Sequence, residues 1–184
     1  MSLFYTEDVC RVEEAAQRHA LRLQCDAVGV EHLALALIEY GRGPVEEAFF
    51  ALGVSPGEAW ATLESLAGAG SVAGIAEQVD SLPNTQGAGR VLGLVFQERV
   101  QLRHQYIGCE HLLLALLRHL DDPWAEPELA SELFERLGVD LHRLREELLS
   151  RIPVDPVGDQ PPRRRGERIR GLPPMAQMDW LTES

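Results

Sequence analysis

Two tripeptides carry most of the chemical potential of this chain: Glu31-His32-Leu33 and Glu110-His111-Leu112. A carboxylate beside an imidazole can bind a cation, hold a metal or move a proton. As metal ligands the two histidines stand alone, because no His-Glu-x-x-His spacing occurs in the chain. Their position favours a histidine hydrogen-bonded at a helix start. Glu31 and Glu110 can serve as ligand carboxylates, although an acid in a first helical turn also simply complements the helix dipole. Cys109, just ahead of a helix, could have a lowered pKa, yet cysteine more often acts as a small buried hydrophobe. Three cysteines, Cys10, Cys25 and Cys109, are an odd number without Cys-x-x-Cys spacing, which argues against disulfides and structural zinc. The chain contains no lysine, which excludes a Walker A loop and a lysine Schiff base. No Gly-x-Ser-x-Gly elbow or other catalytic set can be assembled. The chain is therefore read as a non-enzyme without catalytic residues, cofactor or metal.

What must position these residues is legible as a duplication. Val28-Gly29-Val30-Glu31-His32-Leu33-Ala34-Leu35-Ala36-Leu37-Ile38 recurs as Ile107-Gly108-Cys109-Glu110-His111-Leu112-Leu113-Leu114-Ala115-Leu116-Leu117, 79 residues on. The same offset carries Thr6 onto Thr85, Arg11 onto Arg90, Val12 onto Val91 and Leu23 onto Leu102. Later, Phe49-x-x-Leu52-Gly53-Val54 matches Phe134-x-x-Leu137-Gly138-Val139, so six extra residues fall within the Pro- and acid-rich stretch 121–128.

Each copy reads as four helices. Thr6 caps the first, with Glu7 and Asp8 behind it and Val9, Val12, Ala16, Ala20 and Leu23 at helical spacing. Gly29 and Gly108 precede second helices that are apolar nearly all round, hence buried. Pro44 opens the third and Gly53 follows its end. Ser55 and Asp140 cap the fourth helix of each copy. Gly87 and Gly89 thin the first turn of the fifth helix, so copy one is expected to be the more regular. No stretch alternates like a strand, and the class is all-α. The boundaries are 3–66 for repeat one, 67–83 for a Gly/Ala-rich flexible linker, 84–152 for repeat two and 153–184 for a Pro/Arg-rich tail. That tail holds six of the eleven prolines and is expected to be disordered.

Charge narrows the partners. The formal net charge is −12, and residues 151–184 hold six arginines against five acids, which leaves 11 bases and 24 acids in residues 1–150. A body that acidic repels nucleic acid and anionic membrane. No apolar run approaches the ~20 residues of a membrane span, and the start lacks a signal peptide's basic and apolar regions, so a cytoplasmic location is expected. The run Arg163-Arg164-Arg165-Gly166-Glu167-Arg168-Ile169-Arg170 is expected to fold back transiently on the acidic body or to contact an acidic protein surface, and Met175-Ala176-Gln177-Met178-Asp179-Trp180-Leu181 reads equally as a short docking motif or an unselected frayed end.

Gly-x-Glu-His-Leu-x-Leu-Ala-Leu twice, a threonine-opened helix before each, and Leu-Gly-Val before each last helix together resemble the double repeat of the Clp unfoldase N-terminal domain, most that of the C-type Clp ATPases. The resemblance covers roughly residues 3–152. It implies a pseudo-two-fold pair of four-helix units that recruits substrates and adaptors, here without the ATPase modules: an adaptor, decoy or regulator of Clp-type proteolysis whose partners are Clp components or their substrates. It further implies that each repeat can hold a phosphorylated arginine, with Glu31 and Glu110 on the guanidinium and the helix starts at Thr6 and Thr85 near the phosphate. The family usually has threonine where this chain has Val30 and Cys109. The alternative is a structural or regulatory interaction module unconnected to proteolysis.

Overall fold

The structure is a computed structural model, and it describes residues 4–67 and 81–153. Thr6 opens helix α1 (Glu7–Arg22), its hydroxyl accepting the Val9 N–H at 3.4 Å. Thr85 opens α5 (Gln86–Gln101) in the same way, accepting from Ala88 at 3.2 Å. Both helices run 16 residues, so the glycines of the α5 first turn do not shorten it, contrary to the expectation that copy one is the more regular. Gly87 is there for space: a Cβ on it would collide with the Glu128 carboxylate.

Behind each long helix lies a buried one, α2 (Val30–Tyr40) and α6 (Cys109–Leu120). In α2 every residue from His32 to Ile38 is buried, and in α6 every residue from Cys109 to Leu117, as their all-round apolar sequences require. The copies are completed by α3 (Pro44–Ala51) and α4 (Pro56–Ala67), and by α7 (Leu129–Arg136) and α8 (Leu141–Arg151). Caps fall where the sequence places them: Ser55 Oγ accepts from Glu58 at 3.3 Å and Asp140 Oδ1 from Arg143 at 2.7 Å. The third helix of each copy ends into a left-handed glycine, Gly53 at φ 72° and Gly138 at φ 67°.

The two copies interlock. α8 of copy two packs on α3 of copy one, and α4 of copy one on α7 of copy two. Phe49 and Phe134, which the offset of 85 makes equivalent, meet each other in a parallel stack with centroids 6.5 Å apart, as equivalent residues do beside a pseudo-two-fold axis. One hydrophobic core runs through both halves. The class is all-α, with one addition that the sequence did not announce: β1 (Phe4–Tyr5) pairs in parallel with β2 (Tyr106–Ile107). Its counterpart is a single bridge, Val28 to Asn84.

The last residues of the composition-defined linker are fixed rather than free. Leu82 is buried, its N–H donates to Gln17 Oε1 at 2.8 Å and its carbonyl accepts from Gln17 Nε2 at 3.0 Å, while the Pro83 carbonyl accepts from Val28 at 2.8 Å. Their glycine-rich neighbours set the composition, but Leu82 itself is an apolar anchor. The rest of that linker, 68–80, and the tail beyond Pro153 lie outside the described residues. Among the described residues no helix is long and apolar enough to cross a membrane.

Candidate functional site

The short parallel contacts decide which residues share a site. The Thr6 N–H donates to the Ile107 carbonyl at 2.9 Å, which sets the start of α1 beside the start of α6. The Thr85 N–H donates to the Val28 carbonyl at 2.9 Å, which sets α5 beside α2. Thr6 thus stands with Glu110, and Thr85 with Glu31. The four residues are thus brought together across the repeats, and each candidate site is composite, with its threonine from one copy and its glutamate from the other.

At the base of each site the histidine does what a third-position capping residue does. His32 Nδ1 accepts the Gly29 N–H at 2.9 Å, and His111 Nδ1 accepts the Gly108 N–H at 2.9 Å. Burial lowers the pKa of His32 to about 4, with His19 acting in the same direction. Burial likewise lowers His111 to about 3, aided by His104 and Arg99. Both rings are therefore neutral at physiological pH, and the lone pair of each Nδ1 is taken.

The glutamates fold back over the preceding glycines. A Cβ on Gly29 or Gly108 would meet the carboxylate of Glu31 or Glu110 and force it to shift from this position. The Glu31 side chain is 15% exposed and that of Glu110 10%. Burial raises the pKa of both; each carboxylate's bond to its own backbone N–H works against this, and Glu128 raises Glu31 further. The nearest imidazole nitrogen to each is the occupied Nδ1 of the next residue, 3.3 Å away, which carries no positive charge. Among the described residues no counter-cation pairs with either carboxylate, a costly arrangement for a buried charge that a guanidinium would relieve.

The surroundings differ between the two sites. At the α1/α6 site the charge of Asp8 is felt by the Cys109 thiol, and at the α5/α2 site Glu128 approaches from the loop before α7 while bonded to His119 Nε2 at 3.0 Å. Facing Glu110, with Nδ1 3.6 Å from Oε1, is His104, whose side chain is 2% exposed and whose Nδ1 has no hydrogen-bond partner. The offset of 79 places Cys25 at the matching position, where Glu31 and burial raise its pKa. Val30 and Cys109 are buried and offer no hydroxyl to a ligand. Burial pushes the Cys109 thiol up to about 12, the state of an inert small hydrophobe rather than a redox sensor.

His104, Glu110 and His111 place three potential metal donors within 4.8 Å of one another. The Nδ1 lone pair of His111 already accepts from Gly108, which leaves two donors, fewer than the three or four protein ligands of zinc sites. A separate groove of about 770 Å³ lies between α5 and the end of α6, lined by Arg90, Gln97, Arg118, Asp121 and Asp122. None of the four residues singled out in the sequence lines it.

Asp8 was read only as a first-turn acid, and Glu128 and His104 were not singled out from the sequence. All three fall on unlike residues when the repeats are superposed, Asp8 on Gly87, His104 on Cys25 and Glu128 on Gly43.

Two interlocked copies of a four-helix unit, with equivalent carboxylates at equivalent helix starts, define a double-repeat all-helical domain. Residues 5–126 match the Clp repeat (R) N-terminal domain, and the chain belongs to that family. It is similar to the negative regulator of genetic competence ClpC/MecB of Bacillus subtilis (strain 168), 32% identical over 154 residues that cover 84% of this chain and 18% of that protein. It is also similar to the chloroplastic chaperone protein ClpC1 of Oryza sativa subsp. japonica, 35% identical over 79% of this chain and 15% of that one. The chain thus spans less than a fifth of these relatives. Among solved structures, the N-terminal domain of the caseinolytic protease associated chaperone ClpD from Arabidopsis thaliana superposes with a TM-score of 0.64 at 26% identity, covering 80% of this chain and 93% of that one. The Hsp104 N-terminal domain from Candida albicans shares the fold, with a TM-score of 0.58 at 16% identity over 86% and 94% of the two chains.

Proposed function

We propose that this protein is a non-catalytic, cytoplasmic docking module of Clp-type ATP-dependent proteolysis that grips arginine side chains of substrates or adaptors at its two composite sites, and so serves as adaptor, decoy or regulator. The observation that carries this reading is the pair of buried, counter-cation-free carboxylates, Glu31 and Glu110, at equivalent helix starts. A guanidinium entering either site supplies the missing cation through charge-assisted hydrogen bonds. As the carboxylate swings to meet it, the helix-start N–H groups that it now covers become free. A phosphoryl group on the same arginine would take them, favoured by the positive end of the helix. Val30 and Cys109 contribute nothing to such a phosphate, so the guanidinium pairing supplies most of the affinity, on the order of 1.5–3 kcal/mol for a hydrogen bond to a charged group.

Calorimetry with phosphoarginine and with arginine amide, on wild type, Glu31→Ala and Glu110→Ala, tests this. Heat with the wild type and its loss in the variants supports the sites. No heat from either ligand at millimolar concentration removes the reading. Recovery of a Clp ATPase or its substrates in a pull-down supports the link to proteolysis, and recovery of an unrelated complex alone removes it.

A further inference from the structure

We infer that, in the free protein, the α1/α6 site is occupied by an arginine of the chain's own C-terminal segment, from residues 163–170, which acts as a tethered competitor. The inference rests on the proposed arginine-binding role of the site and adds the identity of its resident occupant. Three observations converge on it.

First, the site is built for a cation and lacks one. Glu110 is nine-tenths buried, Asp8 adds a second acid nearby, and both flanking imidazoles are neutral. His104 Nδ1, itself buried and without a hydrogen-bond partner, points at the same carboxylate from 3.6 Å.

Second, the tail leaves the body beside this site. The Arg151 guanidinium, at the end of α8, lies 3.8 Å from the Glu47 carboxylate in the first turn of α3. Five residues earlier, before α3 begins, the backbone of Arg42 interacts with the Cys109 thiol, next to Glu110. Ten residues separate Pro153 from Arg163 and can span roughly 33–36 Å when extended. The Arg151–Glu47 and Arg42–Cys109 contacts join the chain exit to the site through residues 42–47, whose five steps span at most roughly 18 Å. The extended segment is longer than that span and leaves length for the side-chain contacts at each end.

Third, the charges are complementary. Residues 163–170 carry five arginines and one acid, against 11 bases and 24 acids in residues 1–150. A tether of this length gives an effective concentration in the millimolar range, enough for a weak single-arginine contact to fill the site.

The test uses the full chain and a five-fold variant, R163Q/R164Q/R165Q/R168Q/R170Q. The probe is a fluorescein-labelled peptide with the sequence of residues 160–171, followed by anisotropy. The variant, its site cleared, is expected to bind the peptide about tenfold more tightly than the wild type, and adding Glu110→Gln to it removes the gain. In parallel, backbone amide NMR of the two full chains, without peptide, is expected to show shifts at Thr6, Asp8, Cys109 and Glu110. This readout does not depend on Glu110→Gln folding.

Equal peptide affinity for both chains with unmoved amides overturns the tethered occupant while leaving the arginine site standing. No peptide binding by either chain overturns the site reading as well. Amide shifts that fade on dilution assign the occupant to the tail of a second copy and overturn the intramolecular form.

Discussion

The neutrality of His111 underlies the claim that Glu110 lacks a counter-cation, and it can be tested through stability. The ring is fully buried and accepts the Gly108 N–H at 2.9 Å, with its pKa lowered to about 3 against an ordinary 6.5. Between these values the unfolded chain binds a proton that the folded one refuses. The stabilisation is complete above pH 6.5 and is lost progressively as pH falls towards 3. At pH 5.0 the unfolded ring is 1.5 units below its pKa and almost fully charged, while the folded ring is still neutral. At about 1.36 kcal/mol per unit, the loss between pH 7.5 and 5.0 is about 2 kcal/mol. His111→Gln is the clean perturbation, because glutamine at the third helical position also reaches back to the capping N–H but does not titrate. The variant loses the edge contacts with His104 and Tyr106, at 4.8 and 6.0 Å between centroids, a cost of roughly 0.5–1.5 kcal/mol each that applies at both pH values and cancels. Urea unfolding followed by far-UV circular dichroism should show the wild type losing about 2 kcal/mol relative to the variant on going from pH 7.5 to 5.0. A difference constant to within about 0.5 kcal/mol would refute the neutral imidazole, and the unpaired carboxylate with it.

Glu13 should give the opposite pH dependence. Burial raises its carboxyl to about 7, so the stabilisation of its protonated form is present below about 4.5 and lost as pH rises through 7; Glu13→Gln should gain about 2 kcal/mol on the wild type between pH 5 and 8, read from the same urea curves, and no gain would contradict the buried carboxyl. Phe134→Ala removes a fully buried ring from the pseudo-two-fold stack with Phe49 and should cost about 3–5 kcal/mol, with both halves unfolding in one transition; separate calorimetric transitions for the two halves would argue against an interlocked core. In native protein at pH 8, Cys109, 3% exposed and with its thiol pushed up to about 12, should stay unmodified by a disulfide reagent that reaches it after unfolding; peptide mapping that shows prompt native labelling would contradict its inert character.

The duplication made most of the fold readable, because equivalent residues must solve equivalent problems. Thr6 and Thr85 both cap, Gly53 and Gly138 both turn left-handed, and both Glu-His-Leu runs open buried helices. The four proposed ligand residues are all found at helix starts. Which threonine meets which glutamate was not readable, since that pairing is set by backbone hydrogen bonds from Thr6 to Ile107 and from Thr85 to Val28, and such bonds leave no side-chain pattern. The anchoring of Leu82 at the linker's end was unreadable for a related reason: composition averages over a window, whereas Leu82 is held by one buried side chain and two bonds to Gln17. Glu128 was hidden because its equivalent in copy one, at the cap before the third helix, is Gly43, so the repeat does not mark it.

Two copies with nearly the same apolar pattern could in principle exchange partners, α5 packing on α2 and α1 on α6. The ties between the first two helices of each copy oppose this. In copy one, His19 of α1 bonds Glu39 of α2 at 2.8 Å; at the matching positions of copy two, Glu98 of α5 pairs with Arg118 of α6 at 3.2 Å. The acid and the base have changed helices. In the exchanged arrangement Glu98 would face Glu39 and His19 would face Arg118, so the cation that the 2% exposed Glu98 requires would be replaced by a second carboxylate. Reversed polarity at one pair of equivalent positions thus selects the pairing that the shared hydrophobic pattern leaves undetermined. The composite sites depend on that selection: with α1 on α2 and α5 on α6, the two short backbone contacts can then bring Thr6 to Glu110 and Thr85 to Glu31.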